Sequence, residues 1–187
     1  MSRKLFIGFR IPRKTIDTIS MIRSTLNKDD KLFNWSSGNN LHLTLLFIGF
    51  EGSSNIKEIS DISKKVLSDF NSFNISIEGT GIFSNKRGSQ ALWLGIKEGA
   101  KELKKINYEL RSVIEKTLGL KLDFRFTPHI TIARKKKKHF HNKIDTKNFM
   151  NSVYFPIVLQ VDFFTLFESI IINGKIHYKR IDTFDLT

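Results

Sequence analysis

Two stretches decide the reading of this chain: LHLTLLFIG at residues 41–49 and PHITIARKK at residues 128–136. Each holds an entry residue, then His, an aliphatic, Thr and a second aliphatic, so together they form a short internal repeat. On an extended strand successive side chains alternate faces. His42 and Thr44 therefore project together, as do His129 and Thr131, while Leu43, Leu45, Ile130 and Ile132 turn the other way. Each strand buries an aliphatic face and presents an imidazole beside a hydroxyl. Two such strands brought together make a cleft with two imidazoles, two hydroxyls and no obligatory carboxylate.

Working outward, residues 4–9 form a short apolar run ahead of Pro12, which reads as a strand leading into a helix striped by Ile16, Ile19, Ile22 and Leu26. The apolar run 41–48 has strand length. Ile56, Ile59, Ile62, Val66 and Phe70 recur at helical spacing behind Ser53, Ser54 and Asn55, which are candidate caps. Residues 73–83 and 90–96 read as paired strands around a turn-rich stretch holding Asn85 and Gly88. Leu103, Ile106, Leu110, Val113, Ile114 and Leu118 mark a third helix, stopped by Gly119. A strand is expected over 126–133, and residues 157–184 close the chain with a hairpin turning at Asn173-Gly174. No Pro- or Ser-rich linker divides this order, β-α-β-α-β-β-α-β-β-β. It predicts a single α+β domain spanning 1–187, with helices packed outside antiparallel sheets.

The chain of 187 residues is 40% hydrophobic and carries 17 Phe, which is too apolar for a disordered chain. It holds no Cys, so disulfides, thiolate metal sites and a cysteine nucleophile are excluded, and a reducing cytoplasm is the expected compartment. The basic N-terminal stretch is interrupted by Arg10 and Arg13, unlike a signal-peptide core, and no run reaches the ~18 apolar residues of a membrane helix. A soluble monomer is the default expectation. The net charge of +13 surrounds the molecule with a field that attracts polyanions, although a Lys-rich solvated surface gives the same number.

Two imidazoles suit phosphoryl transfer without metal: one, neutral, takes a proton from water, and the other, protonated, gives a proton to the departing oxygen. The hydroxyls of Thr44 and Thr131 can donate to the non-bridging phosphate oxygens. For one motif alone, a hydrogen-bonded structural histidine is an adequate reading; the pair makes it a poor one. A zinc site is the other competitor, but each His-x-Thr supplies one ligand and no third is placed nearby by motif. The run Arg134 to Lys138, followed by His139, His141 and Lys143, is the densest basic stretch; it either guides an RNA backbone or is a solvated loop. Phe83, Trp35 and Phe9 are candidates for base stacking, with core positions as the alternative.

HLTLLFIG at 42–49 and HITIAR at 129–134 resemble the two signature motifs of the 2H phosphoesterase superfamily. Within it the resemblance is to the RNA 2',3'-cyclic phosphodiesterase family, also called 2'-5' RNA ligase. KLFIGFRIP at the N-terminus, Asn34-Trp35, GIF at 81–83, ALWLGI at 91–96, FTPHITIAR, FTLFES and NGKIHY carry it along nearly the whole chain. The resemblance implies a bilobal fold in which two antiparallel sheets with pseudo-twofold symmetry face a central groove, one motif in each lobe. It implies hydrolysis of a 2',3'-cyclic phosphate, on an RNA end or small nucleotide, to a 2'-phosphomonoester, with no metal and no cofactor. His42 would be the proton donor and His129 the acceptor, an order that the near symmetry of the motifs leaves open. Arg134 occupies the family's usual basic position and would clamp phosphate, yet strict alternation turns it away from His129 unless the strand ends or twists first. The matching position of the first motif is apolar, as Leu45-Leu46-Phe47 shows. Cleavage of 2'-5' oligoadenylate or of a cyclic ADP-ribose phosphate, 2'-5' ligation as the reverse reaction, and non-catalytic RNA binding are the alternatives.

Overall fold

The computed structural model describes residues 2–187, the side chains of Lys14, Asn27 and Lys28 excepted. Its strands are β1 (Arg3–Arg10), β2 (Phe33–Trp35), β3 (His42–Glu51), β4 (Phe73–Ser84), β5 (Gln90–Ile96), β6 (His129–Lys135), β7 (Ile157–Val161), β8 (Phe163–Ile172) and β9 (Lys175–Asp185). The helices are α1 (Ile16–Ser24), α2 (Ser53–Leu67), α3 (Ala100–Leu118) and the short α4 (Lys147–Met150). The strands join in the order β7-β4-β5-β6-β3-β1-β8-β9, every pairing antiparallel, with β2 alongside β6.

This order contains the expected symmetry. The halves β3-β1-β8-β9 and β6-β5-β4-β7 are mirror-ordered outward from the centre, and they meet through one ladder pair, Leu43 with Ile130. Those two residues occupy the same place in the two motifs, between His and Thr. A local twofold therefore passes between them. The two sheets expected from the sequence are thus joined edge to edge into one curled sheet.

The aliphatic face of both motifs is fully buried: Leu43, Leu45, Ile130 and Ile132 are each 0% exposed. They join one core with Ile59 and Leu67 of α2 and Leu103, Ile106, Leu110 and Ile114 of α3. At ~1.5–3 kcal/mol per buried aliphatic side chain, this face fixes which side of each strand the histidines occupy, because a one-residue slip would expose the whole set.

Local chemistry explains the boundaries. Gly119 ends α3 in the left-handed region at φ 66°, its N–H donating to the Glu115 carbonyl. Asn173 and Gly174 both have positive φ, as a two-residue hairpin turn requires. The sixth strand begins at His129 rather than at 126: Pro128 has no N–H to give a ladder, and 119–128 run without regular structure. Ser53, Ser54 and Asn55 lie inside the first turn of α2, behind Gly52 at the cap position. The tail is a hairpin plus a separate strand, β7, which crosses to pair with β4.

Candidate active site

His42 and His129 open the two central strands. Because Leu43 pairs with Ile130 in antiparallel register, His42 stands across from Thr131 and His129 across from Thr44. The two imidazoles are thus diagonal neighbours on one face, a relation that spans about 7–8 Å in an antiparallel pair. The motif residues of both lobes converge on one site.

The rings are held alike. His42 Nδ1 is 2.7 Å from the Asn40 carbonyl and His129 Nδ1 is 2.7 Å from the Thr127 carbonyl. A carbonyl only accepts, so Nδ1 carries hydrogen in both rings and the neutral form keeps its lone pair on Nε2. Aromatic walls enclose each ring: Phe6 and Tyr178 lie 4.9 and 4.7 Å from His42, and Phe83 and Trp93 lie 4.8 and 6.2 Å from His129. Burial is the chief reason that both histidines sit below their ordinary pKa near 6.5; the backbone acceptor opposes it, and the Arg134 cation adds to it. His42 also feels His129 and Arg10. Neither Thr44 nor Thr131 uses its hydroxyl in a hydrogen bond among the described residues, which leaves both free for a ligand.

Arg134 reaches this face through a β-bulge. Thr131 pairs with Trp93 and Ala133 with Leu92, so Ile132 is an extra residue and the alternation resets after it. Ile132 and Ala133 are both buried, and Arg134, paired with Ala91, returns to the side of Trp93, Thr131 and His129. The first lobe repeats the device: Thr44 pairs with Gly8 and Leu46 with Ile7, leaving Leu45 as the extra residue and Phe47 as the counterpart of Arg134. Each bulge frees a carbonyl. Leu45 O accepts from Asn107 Nδ2 at 2.7 Å, and Ile132 O accepts from the Ser36 N–H at 2.8 Å.

Several site residues escaped the sequence reading. Arg10 pairs with His42, donates to the Tyr178 carbonyl at 3.3 Å and lies 5.3 Å from the Phe167 ring. Phe6, Tyr178 and Trp93 come from strands that only the fold brings beside the motifs. Phe9, by contrast, is 5% exposed on the core side, and Trp35 packs on the core with its indole N–H donating to the Asp30 carbonyl; neither is available to a base. Phe83, at 40% exposure, remains open. His139, His141 and His177 lie outside the cluster. Two surface hollows, of about 410 and 490 Å³, are lined without any motif residue, so neither is the histidine site.

Fold and site together define a two-lobed protein of the two-histidine phosphoesterase class. Residues 12–169 match the model of the 2'-5' RNA ligase superfamily, and the chain belongs to that family. An RNA 2',3'-cyclic phosphodiesterase of Thermotoga maritima is 31% identical over 89% of this chain and 86% of its own length. One of Methanothermobacter thermautotrophicus is 28% identical over 77% of each chain. Among solved structures, E. coli LigT complexed with 3'-AMP superposes with a TM-score of 0.77 at 21% identity, covering 100% of this chain and 99% of that one. That likeness establishes the fold.

Proposed function

We propose that the chain is an RNA 2',3'-cyclic phosphodiesterase that opens a terminal cyclic phosphate to a 2'-phosphomonoester. The observation that carries this is the matched pair of imidazoles on one shared face, each with Nδ1–H anchored and with no partner on Nε2 among the described residues. The naming of the relatives supports the substrate. The chain works as one domain whose two lobes each supply a His and a Thr.

In the reaction, water attacks phosphorus in line with the P–O3' bond. His129 Nε2 takes a proton from the water as the new P–O bond forms, and His42 gives its Nε2 proton to O3' as P–O3' breaks. Thr44, Thr131 and Arg134 donate to the non-bridging oxygens, where charge builds up. No step calls for a metal, and among the described residues no cluster of three His, Cys, Asp or Glu is arranged to hold one. With a 5'-hydroxyl in place of water, the same groups account for 2'-5' ligation: His129 takes the hydroxyl proton as P–O5' forms, and His42 protonates O3' as P–O3' breaks.

Replacing either histidine with Ala should lower kcat on a cyclic-phosphate oligonucleotide by ~100- to 10,000-fold, with the product of the parent enzyme carrying its phosphate at the 2' position. Turnover should persist in chelator. Near-parental rates in both single variants, or a chelator loss restored by zinc, would overturn the reading.

A further inference from the structure

Beyond Arg134 the site-facing end of the second lobe runs into two loops without a single acid. Residues 79–97 and 124–144 contain no Asp or Glu. Strands β5 and β6 are antiparallel, with Ala91 beside Arg134, so the β4–β5 turn at 84–89 and the segment 136–143 emerge at the same end of the sheet. They touch there: a side chain on Gly88, whose φ is 79°, would strike the Phe140 carbonyl.

The second loop is strutted from within. Lys135 is 7% exposed, and its ammonium donates to the carbonyls of Asn142 at 2.8 Å and Phe140 at 3.4 Å. Lys136 donates to the Lys31 carbonyl at 2.7 Å. In the first loop, the Asn85 side chain accepts from the Arg87 and Ser89 N–H groups and holds the turn. The cations left over, Lys86, Arg87, Lys137, Lys138 and Lys143, are exposed, the first four flanking the Gly88–Phe140 approach in sequence. None belongs to an ion pair among the described residues. A solvated loop has no need of a buried lysine to brace it, and like charges gathered on two braced loops repel one another.

We propose that this ridge is a track for single-stranded RNA: with the 3' end in the groove, the upstream phosphates pass Arg134 and lie along Lys86, Arg87, Lys137 and Lys138. The inference rests on the cyclic-phosphate reading above and adds the strand that the site would take. Exposed cations on two touching loops, next in sequence to the open ring of Phe83, suit a flexible polyanion with unpaired bases.

The test is the variant K86Q/R87Q/K137Q/K138Q, assayed on a cyclic-phosphate mononucleotide and on an RNA of about eight nucleotides, within the ~4–16 typical of single-strand sites. Mononucleotide turnover should stay within about 2-fold of parent, which also reports an intact fold. On the RNA, kcat/KM should fall ~10- to 100-fold through KM, and its log–log salt slope should flatten by up to ~3, at ~0.7 per phosphate contact. Parental behaviour on the RNA, an equal loss on both substrates, or tighter binding of duplex than of single strand would overturn the track. If the parent turns over neither substrate, the cyclic-phosphate reading has failed by itself. The track is then decided by fluorescence anisotropy of the same RNA with a 2'-phosphate end: at least ~10-fold weaker binding by the variant upholds it, and equal binding overturns it.

Discussion

His42 and His129 sit in environments alike enough that geometry leaves their roles to be told apart by chemistry. If His42 protonates O3', a substrate with sulfur at the 3' bridging position, which leaves without a proton, should restore much of the rate of His42→Ala and little of that of His129→Ala. The opposite pattern would exchange the roles. Arg134 acts on both rings: its cation favours their neutral forms, so removing it raises both pKa values. The acid limb of the kcat/KM profile reports the base and the alkaline limb the acid, and both limbs of Arg134→Gln should move to higher pH. Titration of the two imidazoles by NMR should show the same upward move; an unchanged or downward shift would rule out this coupling. At this scale the sequence displayed the motif residues directly, since His-x-Thr is contiguous. Arg10, Phe6, Tyr178 and Trp93 were hidden because their place beside a histidine is a matter of strand pairing.

At the scale of elements, the strands and the three longer helices were legible because their apolar runs and stripes are long. Strand β2 was not, since three residues offer no period, and β7 was merged with the closing hairpin because its partner, β4, lies far off in the sequence. The two bulges were missed for a different reason. Strict alternation assumes that nothing is inserted, and under it Arg134 points into the core. The signal was nevertheless present as doubled apolar pairs, Leu45-Leu46 and Ile132-Ala133, each wholly or nearly buried. A bulge must also have its freed carbonyl satisfied, and Asn107, 5% exposed on α3, does this for Leu45. Asn107→Leu keeps volume but orphans that carbonyl, and should cost about 1–3 kcal/mol in chemical denaturation. Asn107→Ser should cost no less, since its shorter hydroxyl falls short of the acceptor. A neutral result for leucine would mean that the bulge is held by the core alone.

Over the whole molecule the twofold that relates the lobes is broken at one telling pair of positions. Arg134 and Phe47 follow equivalent bulges, so each stands to its own motif as the other does. Phe47 is 51% exposed, with the Lys4 ammonium 5.5 Å from its ring; this half offers the phosphate no fixed guanidinium at the matching place. If the groove works as a symmetric cradle with one clamp, the clamp should be transferable. Arg134→Gln removes a charge-assisted donor worth ~1.5–3 kcal/mol, a ~10- to 100-fold loss in kcat/KM. Adding Phe47→Arg to that variant puts a guanidinium at the symmetry-related site and should recover about half of the loss on a logarithmic scale, while bringing the pH profile back down as a cation returns beside both imidazoles. Phe47→Arg in the parent should lower the profile further, because two cations then favour the neutral rings. Rescue of the rate without the pH shift would point to phosphate contact alone. Absence of both would mean that the lobes share a fold but not a function, with Arg134 bound to a substrate that always enters from its side.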